Sequence, residues 1–555
     1  MQAPQRFLSP TPIALAVMAA LLPLAAVAQD TAPAAAAPAS APSTPSGAAS
    51  APVLTTLPAV RVKATVEKES ATGPVQGYSA RRTATATKTD TPLNEVPQAI
   101  SVITADQVRD QSSSTIQDVL RYSAGVRHEM YGLDNRGDWF TLRGGSEGSV
   151  LLDGLRLPLT GWYGVVRNEP YAFERVEVLR GPASVIAGQN GPGGVVNLVS
   201  KRPQADAVRE IELQVGNHSH RQAALDLGDS FGTDGVLSYR LLTLYKESGS
   251  QVDHADQRRS FVAPSLTWKP NAGTQLTAYA EYQKDDSANV NGFFPIEGTL
   301  RPGPNGFIPH DTFIGEPAWD RYGGERRRVG YELEQSLASD WTLRHRLRRD
   351  RVEGGMRSMY AQWWLGYADA TGAPDPNGTY LNRTFYATDD KSSIVNGDLL
   401  LEGKLRFGPT QHTLLVGVEG MRSRIEQLAY DDSTATPLDV FNPVYGSFAL
   451  PDLSATPYDT TASRTRAVGV LLQDQVKVGE SVVLVAGLRR DRVKTTTEIT
   501  PFGAAPETTE QDDSATSKRL GAVYLLPNGL SPYMSYSESF GAVAPSNSTV
   551  FQPKR

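Results

Sequence analysis

Cysteine is absent from the 555-residue chain, which excludes disulfides, thiolate zinc sites and thiol catalysis. Charge of one sign is not in large excess either. Lys and Arg total 54 against 60 Asp and Glu, a formal net charge of −6, so the chain offers no strongly basic footprint for nucleic acid. Long hydrophobic runs are scarce as well: beyond residue 28 no stretch approaches the ~18 apolar residues that a transmembrane helix needs. The one apolar run, Ile13 to Val27, follows Arg6, is interrupted by Pro23 and ends in Ala26-Val27-Ala28. That layout is a secretory signal peptide cut after Ala28. An exported chain without a membrane helix is periplasmic, secreted or an outer-membrane β-barrel.

What is present changes texture along the chain. The segment 29–55 is rich in Ala, Pro and Ser and nearly uncharged; it cannot bury a core and reads as a linker. Residues 56–64 contain Leu57-Pro58-Ala59-Val60-Arg61-Val62, an extended, alternating segment on a loose tether. Such a segment suits capture by another protein through strand addition, or it opens the next domain. Residues 65–205 read as a small α+β domain. A strand is expected over 98–103 and a helix from Ala105 to about Asp110, N-capped by Thr104. A second helix is expected over 114–122, with Ile116, Val119 and Leu120 on one face. Short strands follow at 140–143, 150–153, 175–179 and 195–200, separated by glycine turns.

From 206 to 555 no helical period persists. In Gln275 to Gln283, Leu276, Ala278, Ala280 and Tyr282 share one face; Thr277, Tyr279, Glu281 and Gln283 share the other. In Trp341 to Arg349, Trp341, Leu343 and Leu347 lie opposite Arg344, Arg346 and Arg348. Further strands are expected at 483–488 and 532–540. Alternating strands of about ten residues with aromatics near their ends are the signature of a membrane β-barrel. A soluble β-sandwich fits less well, because the connections 289–322 and 365–391 are long and show little strand pattern.

Several segments then resemble TonB-dependent siderophore receptors. The plug-like series runs from Thr89-Asp90-Thr91-Pro92-Leu93-Asn94-Glu95-Val96-Pro97-Gln98 through Leu152-Asp153-Gly154-Leu155-Arg156 and Glu174-Arg175-Val176-Glu177-Val178-Leu179-Arg180-Gly181-Pro182. It closes on Gly193-Gly194-Val195-Val196-Asn197. In the barrel region, Gln473-Asp474-Gln475, Gly487-Leu488-Arg489 and Ser535-Tyr536-Ser537-Glu538-Ser539-Phe540 resemble the hydroxamate-type branch, which includes the ferrichrome receptor.

The resemblance implies a 22-stranded antiparallel barrel, the size class of plugged outer-membrane transporters, filled by an α+β plug. It implies that Leu57, Pro58, Ala59, Val60, Arg61 and Val62 form the box gripped by TonB, the periplasmic energy coupler. The implied protein is a monomeric importer in the outer membrane of a Gram-negative bacterium, surrounded by lipid, with a ferric siderophore as cargo and no cofactor of its own. With 28 residues between Ala28 and Leu57, too few for a folded domain, no transcriptional signalling module is expected.

The siderophore satisfies its own iron, so the site is expected to be aromatic and polar rather than metal-ligating; His128 and Glu129 alone do not make a metal site. By position, the resemblance assigns ligand contact to Tyr131, Glu147, Gly148, Tyr163, Phe293 and Tyr360. Tyr131 stands where the ferrichrome-like branch has an arginine, a departure for which Arg127 or Arg136 is a candidate replacement. Trp363 and Trp364 fall in the same region as Tyr360. The plug charges Arg143, Glu174, Arg175, Glu177 and Arg180 are expected to dock the plug on the barrel wall.

Two other classes compete. Gly144-Gly145-Ser146-Glu147-Gly148 is formally the hydrolase elbow, but that motif requires a helix after the serine, and a strand pattern follows here. A passive porin needs neither an internal domain nor a coupling box; haem and vitamin B12 are alternative cargos. Residues 206–555 number 350, whereas 22 strands with long loops need roughly 450–500 at the strand lengths of such barrels. The chain is therefore expected to lack the end of its barrel.

Overall fold

The computed structural model describes residues 69–145, 149–157, 164–232, 235–290, 292–338 and 340–542. The signal peptide, the linker and residues 57–62 lie outside these, as do Ser146, Glu147, Gly148 and Tyr163.

The plug is built on a sheet of β1 (Ile100–Thr104), β2 (Ser149–Leu152), β3 (Phe173–Arg180) and β4 (Gly194–Ser200), ordered β1-β3-β4-β2, with the short strand Leu155–Arg156 at the edge. All pairs are antiparallel except β2 with β4. Every residue of β4 and all but the last of β3 are buried, as expected of strands covered on both faces. Gly194 joins them with φ +126°, and a Cβ there would strike the Leu179 carbonyl, so only glycine fits.

Helix α1 (Ala105–Asp110) follows β1 as its sequence predicts, with the Thr104 hydroxyl accepting from the Gln107 amide. Helix α2 is shorter than expected, Ile116–Val119. Its start is displaced because Thr115 and Asp118 form a reciprocal capping box. Ile116, Val119 and Leu120 still face the core, at 2% exposure or less.

Around the plug runs an antiparallel meander of thirteen strands in sequence order. They are β5 (Val208–Val215), β6 (Arg221–Phe231), β7 (Leu237–Ser248), β8 (Gln257–Asn271), β9 (Thr274–Ser287), β10 (Arg321–Ala338), β11 (Trp341–Ala361), β12 (Tyr380–Phe407), β13 (Thr410–Asp439), β14 (Tyr458–Val478), β15 (Val482–Thr500), β16 (Glu507–Tyr524) and β17 (Tyr533–Ser537). A two-residue strand, Tyr367–Ala368, pairs with β12. Burial alternates residue by residue, most regularly in β16. The alternation inverts that of a soluble sheet: Arg348, Gln473 and Arg519 point inward and are buried, while Leu347, Leu472 and Leu520 point outward and are exposed. The faces expected for Gln275 to Gln283 and Trp341 to Arg349 follow this rule, with Gln283 and Arg348 fully buried and Tyr282 and Leu347 outside.

Connections alternate in length. Those at 272–273, 408–409 and 479–481 are tight turns; those at 288–320, 362–379 and 440–457 are long and sit at the opposite end. The stretch 365–391 departs from expectation, since β12 begins at Tyr380. Thr384, Thr388, Asp390 and Ser392 give it the polar inner face of a lumen strand, which an apolar period does not reveal.

The plug does not sit evenly in this wall. One apolar cluster merges Leu152, Phe173 and Val176 of the plug with Ala224, Leu242, Leu244 and Phe261 of β6, β7 and β8. On the other side, residues 83–97 lie between the plug sheet and β13–β16 and are held by polar contacts. Gln473 donates to Thr87 O at 2.9 Å, Gln475 to the Thr89 hydroxyl at 2.6 Å, and Lys477 meets Glu95 at 2.6 Å.

Candidate ligand site at the open end of the plugged barrel

The long-loop end carries the described members of the predicted site. Phe293 sits at φ 47° in the 288–320 loop and is half exposed. Its ring meets Tyr360 of β11 edge-on at 5.5 Å, a favourable aromatic geometry. The structure thus joins two residues that are 67 positions apart in sequence. Tyr131 lies on a plug loop, edge-on to Trp139 at 5.7 Å.

Side-chain hydrogen bonds tie these arms to one another. Asn135, on the Tyr131 loop, donates to Ala288 O at 2.5 Å, at the root of the Phe293 loop. The next residue, Asn289, donates to the Ser358 hydroxyl at 2.7 Å, two residues before Tyr360. The segment after Tyr163 is similarly fixed: the Tyr322 hydroxyl donates to Val165 O at 2.8 Å and lies 3.1 Å from its amide. Trp139, Tyr322, Asn135 and Asn289, which hold these arms in place, are residues that sequence reading missed. Nothing in period or motif marks them, because their role is set by contacts with distant loops.

Arg136, one candidate for the replacement, lies in a buried ion pair. It is 5% exposed and held in a fork by Asp134 at 2.7–3.1 Å. Arg127 is exposed on a strand of three residues, Val126–His128. Trp363 and Trp364 are exposed and pack edge-on against each other at 6.1 Å.

Below the mouth, a cleft of about 90 Å³ is lined by Asn135, Arg167, Lys246, Arg259, Asp285 and Tyr322. Its cations are committed. Lys246 and Arg259 both meet Glu169, at 2.8 and 3.0 Å, and Arg259 also meets Asp285 at 2.7 Å. The Glu169 carboxyl is buried, which alone would raise its pKa, but these two cations hold it below the ordinary carboxylate range.

The plug charges divide differently from expectation. Glu174 does meet the wall, at Arg240, 3.4 Å. Arg175 instead donates to plug carbonyls, Arg82 O and Ser70 O at 3.0 Å. Glu177 accepts from the Thr83 hydroxyl at 2.5 Å, and burial pushes its carboxyl up. Arg180 donates to Ala124 O at 2.5 Å and to the Ser101 hydroxyl at 3.0 Å. These three stitch the plug to itself. The wall is met by other groups: Lys88 with Glu419 at 2.5 Å, the motif carbonyls Leu152 O and Arg156 O with Arg348 at 2.8 and 2.6 Å, and Arg202 with Glu332 at 2.8 Å.

The loops at this end share a core of Ile308, Ile314, Tyr367, Leu381, Leu438 and Val440. Beside a second cluster of Met359, Phe385 and Ala435, Asp320 accepts backbone amides from Glu316 and Met359 at 2.8 and 3.0 Å, and burial pushes its carboxyl up to about 8.

A polar-lumened strand wall filled by an α+β domain defines a plugged outer-membrane barrel. Comparison with known proteins agrees. Residues 265–553, more than half of the chain, match the family described as TonB dependent receptor-like, beta-barrel, and residues 92–195 match the TonB-dependent Receptor Plug Domain. The chain belongs to the TonB-dependent receptor family.

Among relatives, it is 34% identical over 491 residues to the ferrichrome outer membrane transporter/phage receptor of Escherichia coli, covering 85% of this chain and 65% of that one. It is 33% identical over 476 residues to the ferrioxamine B receptor of Salmonella typhimurium, with the same coverages of 85% and 65%. The chain therefore spans just under two thirds of these relatives. Among solved structures, the closed form of the ferric-catecholate import receptor Fiu of E. coli superposes with a TM-score of 0.75 at 20% identity, over 86% of this chain and 70% of that one. That likeness concerns the fold.

Proposed function

We propose that this protein is an outer-membrane receptor that binds a ferric siderophore from outside the cell and imports it when TonB pulls on residues 57–62. The observation that carries the reading is the plug. It is docked against the inner face of the wall through buried ion pairs and an apolar weld, so in a completed barrel the cargo would pass only once the plug is moved. A scarce, bulky chelate needs tight capture followed by driven release, which is what a docked plug and an extended N-terminal segment supply. The relatives favour a hydroxamate-type cargo. Its organic shell would be held by Tyr131, Tyr163, Glu147, Gly148, Phe293 and Tyr360, with iron ligated by the siderophore alone.

Uptake of radio-iron as ferrichrome and as ferrioxamine B, in iron-starved cells, tests this. Wild type is expected to import at least one of them, and a chain lacking residues 57–62 to bind it without importing it. Undiminished import by the deletion would indicate a passive pore and sink the reading.

A further inference from the structure

The inner wall carries a gap beside the plug segment that follows Tyr163. In β10 and β11 two pairs of glycines face each other in register, Gly323 with Gly355 and Gly324 with Gly354. Residues two apart share a face of a strand, so Gly324 and Gly354 belong to the inward row of Arg326 and Val352, both buried. Asp285 of β9 and Asp390 of β12 flank them in that row. Four neighbouring strands thus present acid, glycine, glycine and acid toward the lumen.

Backbone freedom does not account for these glycines, since none of the four has a positive φ. Space does. A Cβ on Gly354 would stand 2.5 Å from the Gly323 carbonyl oxygen, so the close approach of the two strands excludes it. Gly324 differs. Its Cβ would lie 3.2 Å from the Glu353 carbonyl oxygen and 3.2 Å from a methyl carbon of Val166, which belongs to the plug.

Wall side chains hold the plug in this gap residue by residue. The Tyr322 hydroxyl donates to Val165 O at 2.8 Å, Arg326 to Val166 O at 3.2 Å and Gln283 to Arg167 O at 2.7 Å. Arg326 also donates to the Asn168 side-chain oxygen at 3.3 Å. At the leading end, a Cβ on Gly164 would come within 2.8 Å of Asp390. The same segment supports the neighbouring arm of the site: Arg167 donates to Asp134 O at 2.5 Å, in the loop that carries Tyr131.

We propose that Gly324 is a positioning residue for cargo capture. The gap it leaves sets how deeply Val166 seats, and so fixes the height of the plug apex and of the Tyr131 loop. Interiors are close-packed, so a side chain in the gap must displace Val166. Hydrogen bonds at 165 and 167 pin the residues on either side, so the shift passes along the segment to the site. A misplacement of about 1 Å is enough to spoil a binding constellation. The inference rests on the reading of this mouth as a siderophore site.

The test moves volume across the contact in the full-length protein, with heat-modifiable migration showing that the barrel has assembled. Affinity for ferrichrome and ferrioxamine B is read by quenching of intrinsic fluorescence. G324V is expected to bind at least tenfold more weakly than wild type. V166A/G324V is expected to return to within threefold of wild type, because methyls removed from the plug make room for those added to the wall. Unchanged affinity in G324V overturns the proposal, and so does a double variant as weak as G324V. Should G324V fail to assemble, V166L fills the gap from the plug side, and the same tenfold loss is required of it. The seat is also read without cargo. The chain has no cysteine, so V165C offers a single thiol, whose labelling G324V is expected to accelerate at least tenfold. Equal labelling rates overturn the seat itself. Accelerated labelling in a protein whose wild type binds neither siderophore upholds the seat and overturns its role in siderophore capture together with the reading on which that role rests.

Discussion

Phe293 and Tyr360 show how a single side-chain contact is decided. Each alone is an aromatic near a strand end, and in many barrels such residues anchor the membrane interface. Their edge-on contact at 5.5 Å at the long-loop end puts them on one surface. Replacing Phe293 by alanine is expected to weaken siderophore binding by about tenfold, the equivalent of ~1.4 kcal/mol, with the barrel still assembled; titration against intrinsic fluorescence checks this. Asp320 supplies the pH dependence. Its folded pKa, about 8, lies above the unfolded carboxylate value of 3.8. Its contribution to loop stability is thus fully present below pH ~4 and is lost as pH rises through about 8. Glu316, whose carboxylate shares this buried site, and Arg383, 3.8 Å from Glu316, are the charges facing it. Proteolytic nicking of the 288–320 loop is expected to accelerate across that window in wild type. In Asp320→Asn, which cannot ionise, the acceleration should vanish.

At the scale of elements, the plug is fastened by two kinds of contact with different sensitivities. Phe261 of β8 lies at 1% exposure in the apolar cluster shared with Phe173 and Val176. Phe261→Ala leaves a cavity there and is expected to cost about 3–5 kcal/mol, read as a lower urea midpoint for protease access to the plug. Arg240 holds Asp226 at 2.7 Å and Glu174 at 3.4 Å, all buried. Arg240→Ala leaves Glu174 without its cation and Asp226 with Lys201 alone, and is expected to cost about 3–5 kcal/mol at neutral pH; acidification, by protonating Glu174, should recover part of that loss. Much of this level was legible in sequence. Helix α1 and its Thr104 cap, and the placement of β1 to β4, follow from local pattern because a cap and an apolar period are local facts. The beginning of α2 was misplaced because Ser114 and Thr115 are both plausible caps, and the Asp118 carboxylate decided between them. The part of β12 from Tyr380 to Lys391 was missed because several of its inward residues are polar and its outward residues do not alternate cleanly.

For the whole molecule, the wall shares an apolar cluster with the plug at β6–β8, beside the Arg240–Glu174 and Lys246–Glu169 pairs, and meets it through polar groups at β13–β16, where Glu419, Gln473 and Gln475 hold residues 83–97. Because the natural chain has no cysteine, paired cysteines provide a direct test. A short reducible cross-linker joining cysteines placed at 87 and 473, where the Gln473 side chain reaches the Thr87 carbonyl at 2.9 Å, is expected to block siderophore uptake while leaving binding intact, and reduction should restore uptake. Uptake that persists in the cross-linked protein would show that the 83–97 segment need not leave the wall. By itself the sequence determined the class of the protein: the α+β segment and the run of alternating strands are written in local composition and period, and the plug motifs recur in a fixed order. Tertiary structure alone decided which charges dock the plug and which merely hold it together. It also decided that Arg136 is spent on Asp134, that Phe293 reaches Tyr360, and that Val166 of the plug seats against Gly324 of the wall. The reason is physical: a strand's sequence specifies which face a residue occupies, but its partners lie on other strands and loops, and only the register and packing of the folded wall bring them within bonding distance.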